Sequence, residues 1–166
     1  MFDIDIPNKI TFTESKVLTP GNQITTLNTS FGKVGIGICY DIRFPEMQII
    51  SARQGAFLLC YPGAFNKTTG PLHWDLLIRG RAVDNQIFVA ACAPALDTTA
   101  SYHSHGHSMV VDPMGNILSQ AENEEDVIYA NLNIKDQESA KSMIPTSKQR
   151  RFDLYLDVNE ARNKSH

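Results

Sequence analysis

The strongest constraint on this chain is a succession of three apolar runs separated by two stretches of helical patterning. KVGIGICY (33–40), AFLLCY (56–61) and IFVAACA (87–93) are apolar at successive positions, the pattern of strands buried on both faces. DIRFPEMQIISARQG lies between the first two. There Pro45 suits a first helical turn, Met47 and Ile50 share a face, and Gly55 suits the residue just past a helix end. The turn-rich loop YPGAFNKTTGP then leads into LHWDLLIRGRAVDNQ, a helix with Trp74, Leu77, Ile78 and Ala82 on one side. The order β-α-β-α-β predicts parallel strands joined by helical crossovers, hence an α/β fold.

The flanking segments read differently. FDIDIPNKITFTES alternates loosely, Pro20-Gly21 marks a turn, and QITTLNT reads as a short strand before a second turn at Ser30-Phe31-Gly32. After the third run, HSMVVD and NILSQ flank a DPMG turn with Pro at its second position, a hairpin that adds antiparallel strands. DVIYANLNI reads as a further strand, 135–143 as a short helix, and 159–166 as a flexible polar tail. The expectation is one domain over 1–158 followed by that tail. An apolar content of 42% suffices for a core, and a formal charge of −3 favours neither nucleic acid nor an anionic membrane as partner. No apolar stretch has membrane-span length. Three cysteines fit no closed disulfide framework, so reduced thiols in a cytoplasm-like compartment are expected.

Cys39 stands where the first buried run ends and the chain turns toward a helix. Open α/β sheets bind ligands at that edge. A thiol there faces the cleft, and the following N–H, that of Tyr40, can face a developing oxyanion. The alternative is a third core cysteine like Cys60 and Cys92. Arg43 reads either as a fork for a substrate carboxylate or as an ion pair with Asp41 or Glu46. Glu14 reads as a capping partner, a surface charge or a cleft carboxylate. His103, His105 and His107 alternate in SYHSHGHS and would share a face of an extended strand, which admits a metal site; no carboxylate or cysteine nearby completes one. One of them, or His73, is alternatively the base of a cysteine–histidine pair.

GICYDIRFPE, YPGAFNKTTGPLHWDLLIRGRAVDNQ and GHSMVVDPMG, in that order, resemble the carbon–nitrogen hydrolase (nitrilase) superfamily, with register kept from FDIDIPNKITFTES to QRRFDLY. YPGAFN, TTGP, RAVDNQ and the FDIDIP opening resemble its omega-amidase branch. SYHSHGHSMVVDPMG leans toward the deaminated-glutathione amidases. The resemblance implies part of a four-layer α-β-β-α sandwich, assembled as dimers or larger homo-oligomers, working without metal or organic cofactor. It implies a small-molecule amide substrate, such as 2-oxoglutaramate, cleaved through a cysteine thioester.

Position by position, the resemblance makes Cys39 the nucleophile, Tyr40 the oxyanion N–H, Glu14 the supporting glutamate and Arg43 the carboxylate partner. Phe65 and Thr69 fall on the loop that would shape the pocket. The family's general-base glutamate and its lysine precede the FDID stretch, so no residue of this chain takes either role. The N-terminal segment is therefore expected to be missing, and turnover by the chain alone to be feeble. The competing expectations are a silent module pairing with a full-length homologue and a papain-like enzyme using a histidine. Localisation is expected in the cytoplasm, with the mitochondrion as alternative.

Overall fold

The computed structural model describes residues 1–7 and 10–155; the expected tail 159–166 lies outside them. The chain forms strands β1 (Asp3–Ile6), β2 (Ile10–Thr13), β3 (Thr25–Thr29), β4 (Gly32–Ile36), β5 (Ala56–Pro62), β6 (Phe88–Cys92), β7 (Met109–Val111) and β8 (Ile117–Gln120). Its helices are α1 (Pro45–Arg53), α2 (Gly70–Asn85), α3 (Ile134–Met143) and α4 (Thr146–Gln149). β1 and β2 make a separate antiparallel hairpin. The other six strands form one mixed sheet in the order β3-β4-β5-β6-β7-β8. Its centre, β4-β5-β6, is parallel as the alternation of strand and helix predicts, with antiparallel pairs on both flanks.

α1 and α2 cover one face of this sheet. Between them and the strands lie Leu59, Tyr61, Trp74, Ile78, Ala82, Val89, Ala91, Met109 and Val111, all buried. Each large apolar side chain withdrawn here contributes about 1.5–3 kcal/mol against its exposed state. Trp74, Ile78 and Ala82 are the face expected from spacing. α1 departs from expectation. Ile50 is 42% exposed, whereas Gln48 and Ser51 are buried. The reason lies on the opposing strand. Gly35 has no side chain, so the Ser51 Cβ fits against it, and Gln48 Nε2 donates to the Asp41 carbonyl at 3.0 Å.

Residues on the other sheet face alternate with these. Val34, Ile36, Leu58, Cys60 and Ala90 are only half-buried there, and Cys92 is exposed. On the outer side of α2, Leu72, Leu76 and Val83 also face solvent.

Two further expectations are corrected. The run 33–40 is not strand throughout: β4 stops at Ile36 and residues Cys39–Arg43 form a 3₁₀ turn. DVIYANLNI forms no strand, because no neighbouring chain pairs with its backbone among the described residues. Ile128, Ala130 and Leu132 are nonetheless half-buried while Val127, Tyr129 and Asn131 are exposed. The alternation thus reported a buried side, not a ladder. The 112–115 turn forms as expected, with Asp112 Oδ1 accepting from the N–H groups of Met114 and Asn116. Gln86 Nε2 donates to the carbonyls of Ala140 and Ile144, tying the end of α3 to the end of α2. No described helix is long and apolar enough to cross a membrane.

Candidate active site

The C-terminal ends of β4, β5 and β6 lie along one edge of the sheet, as parallel pairing requires. The segments leaving that edge hold the candidate residues. Past β4, the Gly37 N–H still bonds the Cys60 carbonyl at 3.0 Å, and the chain then turns sharply. Asp41 drives the turn: its Oδ2 accepts from the Ile38 N–H at 2.8 Å, and its own N–H donates to the Ile38 carbonyl at 2.9 Å. Arg81, buried on α2, holds the far end, donating from Nε to the Ile42 carbonyl (2.8 Å) and from Nη2 to the Arg43 carbonyl (3.2 Å).

Between these anchors Cys39 takes φ +45°, the left-handed region that costs an L-residue about 1–2 kcal/mol. Such strain persists where surrounding contacts over-determine it. Here the neighbour is Gly63: a Cβ built on it would lie 2.9 Å from the Cys39 Cα. The half-buried Cys39 thiol packs against the edge of the core, with Sγ 3.9 Å from the Ala64 carbonyl. That carbonyl also accepts from the Tyr102 hydroxyl at 2.6 Å. Burial, and next the nearness of Cys39, push the Tyr102 phenol up from its ordinary value. The Tyr40 N–H is at the second position of the turn, where no intrahelical acceptor exists.

Arg43 ends the same turn. Its Nη1 lies 3.2 Å from His73 Nδ1, and its guanidinium covers the Phe65 ring at 4.6 Å and the Tyr40 ring at 5.9 Å. Neither Asp41 nor Glu46 pairs with it, so of the two alternatives read from the sequence the ion pair is not the arrangement found. Phe65 is itself buried, edge-on to Trp74 at 5.1 Å, and its carbonyl accepts the His105 N–H at 2.7 Å. Thr69 sits at the end of this loop. Its N–H and hydroxyl both donate to Asn66 Oδ1, at 2.8 and 3.1 Å, so its hydroxyl proton is committed to shaping the loop.

Glu14 opens a short 3₁₀ turn (Glu14–Lys16) just after β2, and its Oε2 accepts from the Phe2 N–H at 2.7 Å. The Phe2 ring in turn lies 4.8 Å from that of Tyr40, which docks the hairpin beside the cysteine turn. Among the described residues no hydrogen bond joins Glu14 to Cys39. Among the described residues the structure therefore assembles Cys39, Tyr40, Arg43 and Phe65 directly, leaves Thr69 at the end of the loop, and links Glu14 through Phe2.

The histidine run does not form the extended face expected. Gly106 (φ +75°) and His107 (φ +59°) bend it, the rings of His105 and His107 lie 4.3 Å apart and tilted by 37°, and His103 is exposed. Burial foremost, with His107 next, holds the His105 pKa below its usual value. Among the described residues no three metal-ligating side chains gather. His73 is engaged with Arg43 rather than with the thiol. Tyr102, Gly63 and Arg81 were not singled out from the sequence. Their partners lie 38 or more residues away for the two polar groups and 24 for Gly63, and no local pattern encodes such pairings.

Among the described residues, a thiol in a strained turn at a sheet edge thus stands beside an N–H with no acceptor and a guanidinium with no carboxylate partner, an arrangement chemically suited to a thiol nucleophile. The profile of the carbon-nitrogen hydrolase family matches residues 1–142, and the chain belongs to that family. It is 56% identical over 159 residues to the omega-amidase NIT3 of Saccharomyces cerevisiae, covering 96% of this chain and 55% of that protein. The crystal structure of S. cerevisiae Nit3, a member of branch 10 of the nitrilase superfamily, superposes with a TM-score of 0.81 at 55% identity, covering 84% of this chain and 51% of that one. A mutant of the Nesterenkonia sp. AN1 amidase is 27% identical with a TM-score of 0.69, covering 86% and 51%; it shows covalent addition of the acetamide moiety of fluoroacetamide at its active-site cysteine. The chain spans about half the length of the relatives it matches.

Proposed function

We propose that this chain supplies the nucleophile and the carboxylate-binding side of an omega-amidase site, which hydrolyses the terminal amide of small keto-dicarboxylate amides such as 2-oxoglutaramate. The observation that supports this most is the strained Cys39 turn with Arg43 at its end, paired with no carboxylate among the described residues. Cys39 Sγ attacks the amide carbon and the carbonyl oxygen, gaining charge, is met by the Tyr40 N–H. Collapse expels ammonia and leaves a thioester; water then cleaves the thioester, releasing the carboxylate product and restoring the thiol. Arg43 holds the remote carboxylate, with Phe65 beneath it and Thr69 bounding the pocket. Glu14, through the hairpin, supports the turn. The general base and the oxyanion ammonium are assigned to no residue of this chain. The similarity to the yeast omega-amidase favours this substrate class over deaminated glutathione.

The half-buried sheet face of Val34, Ile36, Leu58, Cys60 and Ala90 suits a second sheet packed against it, completing an α-β-β-α sandwich. The exposed Leu72, Leu76 and Val83 on α2 suit pairing with a second copy. Three free cysteines suit a reducing compartment such as the cytoplasm.

The test is ammonia release from 2-oxoglutaramate beside a Cys39→Ala control. Release that disappears in the control supports the thiol mechanism; release that survives it refutes Cys39 as nucleophile.

A further inference from the structure

We infer that His73 is a positioning residue that selects for anionic substrates, by holding the Arg43 guanidinium in place without cancelling its charge. The inference rests on the reading of Arg43 as the carboxylate partner and deepens it.

A guanidinium carries five N–H donors and no acceptor. In the Arg43–His73 contact of 3.2 Å, Nδ1 must therefore be the acceptor, which leaves the ring neutral with its proton on Nε2. Among the described residues the other groups against Arg43 are neutral too: the Phe65 ring at 4.6 Å and the Tyr40 ring at 5.9 Å. A half-buried cation is ordinarily compensated by a carboxylate. Here its neighbours orient the fork and leave the charge available. A carboxylate at position 73 would orient Arg43 equally well but would occupy its donors and repel an incoming anion.

His73 is placed for this by the start of α2. Its N–H bonds the Thr69 carbonyl at 2.9 Å. The helix can begin there because Gly70 lies against His105, where any Cβ would be 2.3 Å from the His105 ring. Phe65 is held by Trp74, the residue after His73. One helical turn thus sets both the ring under the guanidinium and the acceptor at its end. The mechanism gives His73 no proton to carry.

The experiment follows Cys39 alkylation by iodoacetamide, resolved from Cys60 and Cys92 by peptide mass mapping, in the full chain. Protection by 2-oxoglutarate is compared with protection by its dimethyl ester, and each variant's own rate without ligand is the reference. Arg43→Ala removes protection by the dianion if Arg43 binds the carboxylate. His73→Phe keeps a ring but lacks the acceptor, and weakens that protection about tenfold, while protection by the ester changes less than about twofold. His73→Gln restores an acceptor and recovers binding to within about threefold of wild type; His73→Asp abolishes preference for the dianion. Should His73→Phe fail to fold, as judged by circular dichroism, the Gln and Asp variants decide. His73→Phe or His73→Asp binding the dianion as wild type does, while Arg43→Ala does not, overturns the role of His73. Protection that is absent in wild type, or that survives Arg43→Ala, refutes the carboxylate reading of Arg43 itself.

Discussion

Replacing Gly63 by alanine adds one methyl group at the point where the β5 loop supports the nucleophile. Built on the existing backbone, that carbon lies 2.9 Å from the Cys39 Cα, 3.4 Å from its Cβ and 3.5 Å from its nitrogen. The first distance is shorter than Cβ atoms tolerate, and the obstructing atom is backbone, which cannot swing aside as a side-chain tip can. Reaching ordinary contact at 3.4 Å requires the two segments to part by about half an ångström. Gly63 has no left-handed φ, so the effect is purely steric. Overpacking of this kind costs roughly 1–3 kcal/mol. In a domain of this size that is a fall in Tm of about 2–4 °C per kcal/mol. Misplacement of a reacting group by about 1 Å costs on the order of 10²-fold, so a shift of about half that should lower turnover by roughly tenfold. The assays are thermal unfolding followed by circular dichroism, the rate of Cys39 alkylation, and amide turnover. Gly80→Ala is the control: it lies within α2, and nothing lies within 4 Å of a Cβ placed there. It should raise stability by about 0.5–1 kcal/mol through helix propensity. A Gly63→Ala protein that melts with wild type and alkylates at the wild-type rate would refute the argument that this contact holds Cys39 in its conformation.

Three other outcomes are expected. Cys39→Gly, free of the left-handed penalty at φ +45°, should be more stable than Cys39→Ala by about 1 kcal/mol in urea unfolding, with both variants inactive. Burial above all drives the Tyr61 phenol pKa upward, so the folded state keeps its proton where the unfolded chain loses it. Stability from this group is whole below the ordinary phenol value of about 10 and declines as pH rises beyond it, so the urea midpoint between pH 8 and pH 11 should fall less in Tyr61→Phe than in wild type. Arg81→Leu leaves the buried Ile42 carbonyl and the half-buried Arg43 carbonyl without these donors; at about 1–3 kcal/mol for the first and less for the second it should lower the unfolding midpoint and loosen the Cys39 turn, seen as faster backbone hydrogen exchange at Asp41 and Ile42.

The elements that depend on neighbours in sequence were legible without coordinates. Unbroken apolarity at 87–93 marked a strand, and 3.6-residue spacing of Trp74, Ile78 and Ala82 marked the inner face of α2. Asp112-Pro113-Met114-Gly115 marked a turn because its hydrogen bonds close within four residues. The alternation in β-α-β-α-β set the parallel order, and with it the edge on which Cys39 and Arg43 lie. Local periodicity was equally strong in DVIYANLNI and in α1, yet it misled there. A strand needs a partner with free donors and acceptors, and a helix face is chosen by what opposes it, here Gly35 against Ser51.

The site divides along the same line. Cys39, Tyr40 and Arg43 are close in sequence, so one sharp turn brings them together. The strain at Cys39, the Tyr102 hydroxyl on Ala64, the His73 acceptor at Arg43 and the Arg81 donors beneath the turn arise between segments 24 to 39 residues apart. Such pairings leave no trace in spacing or composition, because their geometry is set only when β5 and α2 pack beside β4. The residue types at the sheet edge were thus written in the chain, while their orientation, and the neutral His73 and Phe65 neighbours of Arg43, came from tertiary packing.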